Sequence, residues 1–456
     1  MQQALSAWIA RRSAPGFWQI YRFDRALRRK LTPAGWLIAS LLIASAVFGL
    51  NTKETLIYQL FGLSLGLLVV AALSSYHFSP PITISRALPR VATAGVEFEY
   101  ALTVKNLGDK PYEALEMAEV LESERPDARQ FAAFKAREDR TRNFFDRLVG
   151  YPRWVSLMRL TLGAHIEAPA LPALAARGQC SIALRCLPLR RGVLNFGAVR
   201  LARSEPCGLM KANWSLPLAG TLLVMPRTYP VAPLELAGSR RLQPGGVAFA
   251  GRIGDAEEFV SLRDYRAGDT PRRIHWKAWA RTGRPVVKEY QDEFFVRHAL
   301  VLDTFPSGDE ARFETAVSLA ASFVMMPRSS ESLLDLMFVE KRAYTLTQGR
   351  GLGAAADLLR VLAAVSVSRQ GSFDTLAEVV LLSAARISGG ICVLLAWDEP
   401  RQRLVARLRA RGIPLRVWVV RDDGEREALD PGPMASDRHN LRVVDHASLA
   451  AELARP

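Results

Sequence analysis

Two uncharged runs near the amino terminus set the first elements. Pro33–Leu50 holds no charge in 18 residues, and after Asn-Thr-Lys-Glu-Thr a second uncharged run covers Leu56–Tyr76. Each approaches the roughly 20 apolar residues a helix needs to cross a bilayer. The spacer is too short for a domain, so residues 33–76 are expected to form a transmembrane hairpin; the competing reading is a pair of buried core helices. Pro80-Pro81 closes this section. Downstream, ITISRALPRV, VEFEYALTVKN, CSIALRCLPLRRGVLNFGAVRLA and TLLVMPR alternate apolar with polar positions between Gly, Pro and Asn. That pattern predicts short strands in an antiparallel β-sandwich over 80–235. Cys180 and Cys186 lie an even number of positions apart, so on one strand they share a face and read as core residues. A helical insertion over 122–165 interrupts the alternation, with Phe131, Phe134, Phe144, Phe145, Leu148 and Trp154 among many arginines. It either lies on membrane headgroups or packs its aromatics on the sandwich.

From His298 the period changes. HALVLDTF, SLLDLMFVE, ICVLLAW and LRVWVV read as buried strands, and ARFETAVSLAASFVMM, GLGAAADLLRVLAAVSV, FDTLAEVVLLSAARI and RQRLVARLRARG as helices. This alternation predicts an α/β domain over 298–456, a mostly parallel sheet covered on both faces. Ligands of such sheets gather at the carboxyl ends of the strands.

Between the two lies a charged region, 236–297. From Arg252 to Arg297 ten Arg or Lys mix with eight Asp or Glu, two Trp and a His. EEFVSLRDY reads as a strand, Ala267-Gly268-Asp269 as a turn, and PVVKEY as a second strand. Thr270-Pro271 has the form of an N-cap followed by Pro at the first helical position, and Gly283 of a C-cap, which predicts a helix over 271–282. On it Arg273, Lys277 and Arg281 fall at i, i+4 and i+8 and form one basic stripe. The stripe is either an anion site or docking face for an acidic partner, or a salt-bridge lattice with Asp255, Glu257, Glu258, Glu289, Asp292 and Glu293. His275, between Ile274 and Trp276, reads as a packed histidine rather than a base, because no nucleophile stands at a telling spacing.

The run GDAEEFVSLRDYRAGDTPRRIHWKAWARTGRPVVKEYQDE resembles the signature of domain-of-unknown-function family fifty-eight. The likeness marks Arg263, Asp264, Tyr265, Asp269, Arg273, His275, Trp276, Lys277 and Arg281 as residues for partner or anion binding. It implies a bacterial membrane protein whose gene neighbours a MoxR-type AAA+ ATPase and often a transglutaminase-like protein, and it brings no settled activity. RRGVLNFGAVRLARSEPCGLMKA and LLVMPRTYPV are similar to the family's second strand group, where relatives are expected to carry Asp-Pro-Phe-Gly in place of Glu205-Pro206-Cys207-Gly208. The last region resembles a von Willebrand factor A domain, with Asp303 ending the first strand and Asp398 a later one. That likeness implies a metal site for a hard cation such as Mg²⁺ on Asp303, Ser307 and Asp398. The loop reads Asp303-Thr304-Phe305-Pro306-Ser307 where those domains have Asp-x-Ser-x-Ser, so Phe305 removes one oxygen ligand and the site is degenerate.

Charge changes the picture in two ways. A net charge of +15 invites a nucleic-acid reading, but arginine is spread along the chain with no recognition motif, so no nucleic acid is expected. Residues 1–32 form a basic lead, seven Arg or Lys against Asp24 alone. Arg28, Arg29 and Lys30 abut the first span and are expected to stay inside, which places both termini in the cytoplasm, with membrane lipid as a partner. None of the four cysteines forms a CxxC, and no His stands at zinc spacing,. No Walker, nucleophile-elbow or HExxH pattern occurs. The sequence therefore reads as a multidomain, two-pass protein of the bacterial inner membrane: two N-terminal transmembrane helices, an antiparallel β-sandwich, then the A-like α/β domain. The expected role is an accessory or scaffold protein serving a MoxR-type ATPase, without enzymatic activity and without a cofactor other than the degenerate Mg²⁺ site. The competing role is an enzyme or binding protein for phosphorylated or envelope-precursor substrates that uses the basic helix 271–282.

Overall fold

The computed structural model of the chain describes residues 2–48, 55–123, 125–134, 150–167, 169–232, 258–267, 269, 271, 274–291, 296–305, 310–326, 332–348, 352–368, 371–422 and 429–455. They form two compact units: Met1–Arg227 with Leu362–Ala364, and Thr228–Val361 with Val365–Pro456.

The first unit opens with three helices: α1 (Gln2–Lys30), α2 (Pro33–Phe48) and α3 (Thr55–Ser74). Thr32 caps α2, its Oγ1 accepting from the Gly35 N–H at 3.0 Å, with Pro33 at the first helical position,. The buried positions of the α2–α3 pair include the small residues Ser45, Ser64 and Ala71, while Leu37, Ile43, Val47, Leu56, Leu63 and Leu73 are exposed. Only Leu56–Ser74, 19 residues at a mean hydropathy of 2.2, is long and apolar enough among the described residues to cross a bilayer. The first uncharged run is described as a shorter apolar helix, the 16 residues of α2, with 49–54 outside the described residues.

The sandwich follows from period-2 burial. Strands β1 (Ile82–Ala87), β3 (Phe98–Asn106), β6 (Gln179–Pro188) and β5 (Ala164–Glu167) make one sheet in the order β1-β3-β6-β5. Strands β2 (Val91–Thr93), β8 (Lys211–Met225), β7 (Gly192–Ser204) and β4 (Glu116–Glu122) make a second in the order β2-β8-β7-β4. All pairings are antiparallel except β2 with β8, which is parallel and corrects the all-antiparallel expectation. One core joins the sheets through Ile84, Leu102 and Leu184 on one side and Phe196, Leu201 and Leu222 on the other. Cys186 is buried in it and Cys180 packs against it. A buried ion pair also links the sheets. Arg86 of β1 donates from Nε and Nη2 to Glu119 of β4 at 2.9 and 2.7 Å, and the Tyr100 hydroxyl donates to the same carboxylate at 3.1 Å. Breaking such a pair from one side leaves an uncompensated buried charge, at a cost of about 3–5 kcal/mol.

Between β4 and β5 lie α4 (Ala128–Ala133) and α5 (Tyr151–Leu162). Their aromatics pack on the lead helix, a partner neither sequence reading included. Phe131, Trp154, Leu157 and Met158 form a separate small core with Phe17, Trp18 and Tyr21 of α1. Phe17 meets the rings of Phe131 and Tyr151 edge-on, each at 5.9 Å. Phe144, Phe145 and Leu148 lie outside the described residues.

The second unit holds an antiparallel pair, β9 (Glu258–Asp264) and β10 (Val286–Gln291), with α6 (Trp276–Thr282) between them. A six-stranded sheet then takes β11 (Val296–Leu302), β12 (Ser332–Val339), β13 (Ala343–Gln348), β14 (Gly389–Leu394), β15 (Leu415–Val420) and β16 (Leu441–Val444) in the order β13-β12-β11-β14-β15-β16. Every pairing is parallel except β12 with β13. Helices α7 (Glu310–Met325), α8 (Leu352–Ala364, as far as Val361), α9 (Phe373–Ser383), α10 (Glu399–Ala410) and α11 (Leu449–Ala454) complete the unit. Ala299 and Val301 share a core with Phe373, Leu376 and Leu404, while Leu300 and Leu302, next to them in sequence, are as deeply buried. Neighbouring strand residues face opposite ways, so the sheet is buried on both faces.

Candidate functional site

The charged signature builds a hairpin around α6. Val286 and Val287 of β10 stand opposite Asp264 and Arg263 of β9. Pairing continues past the strands: Ile274 bridges to Val287, and the His275 N–H donates to the Val286 carbonyl at 2.8 Å. This corrects the helix expected over 271–282. With 274 and 275 held in extended pairing on β10, the helix starts only at Trp276, and His275 caps it, its Nδ1 accepting from the Ala278 N–H at 2.9 Å. His275 is thus a capping residue. Gly283 ends the helix at φ 69°, the left-handed region expected of it,. Arg273 lies outside the described residues, so of the basic stripe α6 carries Lys277 and Arg281, both exposed. Neither has an ion pair among the described residues. No side chain of the six acids in the lattice reading is described. Trp276 stacks on Trp279 at 5.3 Å and is 62% exposed.

Arg263 and Asp269 form the hairpin's described ion pair, Nη1 and Nη2 reaching the two carboxylate oxygens at 2.8 and 2.7 Å. The Arg266 N–H also donates to Asp269 at 2.8 Å. The Arg263 hydrogen bonds, then that of Arg266, hold the Asp269 carboxyl down at about 2. The Tyr265 N–H donates to the Pro285 carbonyl at 2.9 Å. The side chains of Asp264 and Tyr265 are exposed.

A second constellation closes the carboxyl edge of the parallel sheet. Asp303, just past β11, is fully buried; its Oδ1 accepts from the Phe305 N–H and its Oδ2 from the Leu395 N–H, both at 3.0 Å. Oδ2 also accepts from Arg401 Nε at 2.6 Å, and Arg401 Nη1 donates to Asp398 Oδ2 at 2.6 Å. Asp398 is the N-cap of α10, and Arg401 lies on its first turn. The Phe373 ring covers the guanidinium at 4.7 Å. Burial pushes the Asp303 carboxyl up, while Arg401 and the two backbone donors pull against it. The Leu395 carbonyl in turn accepts from Arg312, which pairs with Asp422 past the end of β15.

These residues do not fit a divalent ion. Both acids of the expected site already spend oxygens on one guanidinium, and Ser307 lies outside the described residues. The sequence reading missed Arg401. Its spacing of three from Asp398 on a helix start was a legible local signal; its approach to Asp303, 98 positions away, was not.

A third constellation joins the sandwich to the lead of α2. Buried Glu205 accepts from the N–H groups of Cys207, Leu209 and Met210. Burial disfavours its charge, yet these donors hold its carboxyl below the ordinary range. The turn so fixed offers the Gly208 and Leu209 carbonyls to Thr32 Oγ1 at 2.5 and 3.1 Å, and Leu31 bridges to Met210.

Residues 261–396 match a family described as protein of unknown function DUF58. That stretch belongs to DUF58. The DUF58 stretch runs from the hairpin through β14; it includes Asp303 and ends before Asp398 and Arg401. No curated protein matches the chain. Among solved structures, similarity is found to BatB, a conserved hypothetical protein from Bacteroides thetaiotaomicron, at 16% identity over 35% of this chain and 95% of that one, with a TM-score of 0.25. An aerotolerance-related membrane protein from Bacteroides fragilis is 13% identical over 35% of this chain and 94% of its own, TM-score 0.25. The proximal thread matrix protein 1 of the mussel byssus is 10% identical over 35% of this chain, TM-score 0.28, and only 46% of its length is covered. Similarities at these scores assign no function to this chain.

Proposed function

We propose that the protein is a membrane-anchored accessory or scaffold protein whose soluble parts face the cytoplasm and dock on a MoxR-type AAA+ ATPase. The observation that carries this reading is the outward face of α6. Trp276, Lys277 and Arg281 stand exposed on a helix pinned at both ends by His275 and Gly283. An aromatic with two basic residues on a rigid support suits an acidic partner surface. Anchoring is supported by the apolar helix Leu56–Ser74, by α2 packed beside it, and by the basic end of α1 just before α2,. A von Willebrand factor A-like second unit is supported by the sheet order, which numbered within the domain is 3-2-1-4-5-6 with the third strand antiparallel.

Two measurements test the reading. A reporter fused after Pro456 is expected to be active only as a cytoplasmic reporter; periplasmic activity overturns the orientation. The full chain in mild detergent is expected to retain the ATPase through purification, and Lys277→Glu with Arg281→Glu to lose it while melting at the wild-type temperature. Retention by that double variant overturns docking through α6.

A further inference from the structure

At the carboxyl edge of the six-stranded sheet, Asp303 and Asp398, acids from distant parts of the chain, share the guanidinium of Arg401 between them. We propose that Arg401 is the resident cation of this edge: its guanidinium does permanently what a divalent ion does between paired carboxylates, and the domain works without metal there. The inference stands on the geometry of the edge and not on the docking partner proposed above.

Three features support it. Arg401 Nε and Nη1 reach Asp303 and Asp398 at 2.6 Å each, so one planar group bridges both acids, as a guanidinium's donor fork allows,. Arg401 is 5% exposed and Asp303 fully buried. This leaves Asp398 as the solvent-facing member of the three, its side chain 47% exposed. The third feature explains the sequence departure at Phe305. A Mg²⁺ ion requires near-octahedral oxygens, and a phenyl ring in place of a hydroxyl removes one. A guanidinium needs no such ligand, and the Phe305 ring instead packs edge-on against Phe373, 6.3 Å between centroids, the same ring that covers Arg401 at 4.7 Å.

The proposal makes the site latent: without the guanidinium, the two carboxylates become an empty cation site. The test uses the full chain in detergent, with thermal melts and electron-paramagnetic-resonance titration of Mn²⁺. Wild type is expected to show no Mn²⁺ binding at micromolar concentration and no change of melting temperature with millimolar Mn²⁺ or Mg²⁺. Arg401→Ala is expected to melt several degrees lower and to recover part of that loss in millimolar Mn²⁺, and adding Asp398→Asn is expected to abolish the recovery. Arg401→Lys, which keeps the charge, is expected to fold and to ignore Mn²⁺; it serves also if Arg401→Ala does not accumulate. Micromolar Mn²⁺ binding by wild type that Asp398→Asn removes overturns the proposal. So does Arg401→Ala melting unchanged, or melting lower with no recovery in Mn²⁺, or Arg401→Lys acquiring Mn²⁺ affinity.

Discussion

Leu209 presents its carbonyl oxygen so close to Gly35 that a Cβ built on Gly35 would lie 2.0 Å from it. The contact joins the first turn of α2 to the β7–β8 turn of the sandwich, beside the hydrogen bonds of Thr32. A side chain there has no flexible neighbour to push aside, because the obstacle is backbone held by Glu205. Gly35→Ala is expected to cost about 1–3 kcal/mol and to loosen the sandwich from α2, seen as a lower melting temperature and faster proteolysis near residue 208. A wild-type melt for Gly35→Ala would mean the two elements separate freely.

Asp269 supplies one pH dependence. Its folded carboxyl is held at about 2, against about 3.9 for the unfolded side chain. A carboxylate depressed in the folded state stabilises above its unfolded value, and that contribution is lost as pH falls from about 4 through 2. Carbon-detected NMR on Asp-labelled protein is expected to place the Asp269 midpoint near 2 in wild type, and Arg263→Ala to bring it back toward the ordinary range. An unmoved midpoint in that variant would exclude Arg263 as the main cause.

His275 is expected to behave as a cap and as nothing else. His275→Ala should destabilise the hairpin by about 0.5–2 kcal/mol, and His275→Asn, which keeps a side-chain acceptor, by much less. Equal losses in the two variants, read by hydrogen exchange at Ala278, would refute the capping role.

Trp154 is fully buried, and among the described residues its Nε1 has no hydrogen-bond partner. Trp154→Ala is expected to cost about 3–5 kcal/mol and to free α1 from α4 and α5, raising hydrogen exchange over residues 15–30. Trp154→Phe gives up an indole N–H that is already unpaired, so it should cost far less. If both variants release α1 equally, the indole nitrogen has a partner and the packing account fails.

What the sequence determined by itself is what its local periods and caps contain. The period-2 runs gave the sandwich strands, the βα alternation gave the parallel sheet, Gly283 ended its helix, and Cys180 and Cys186 fell on the core side. The Thr-Pro pair read as a helix start, Thr270-Pro271, failed, while a second pair that the sequence reading did not use holds. Thr32-Pro33 opens α2, whereas the helix expected from Thr270-Pro271 begins only at Trp276. The difference is tertiary: Ile274 and His275 give their pairing to β10, and backbone held in extended pairing cannot also enter a helix. Distance in sequence hid the rest. The parallel pairing of β2 with β8, the packing of Phe131 and Trp154 on Phe17, the carbonyl of Leu209 over Gly35, and the guanidinium of Arg401 on Asp303 each join residues far apart in the chain. No spacing records such contacts, because they are fixed only when burial leaves each charge and each backbone group one partner within reach.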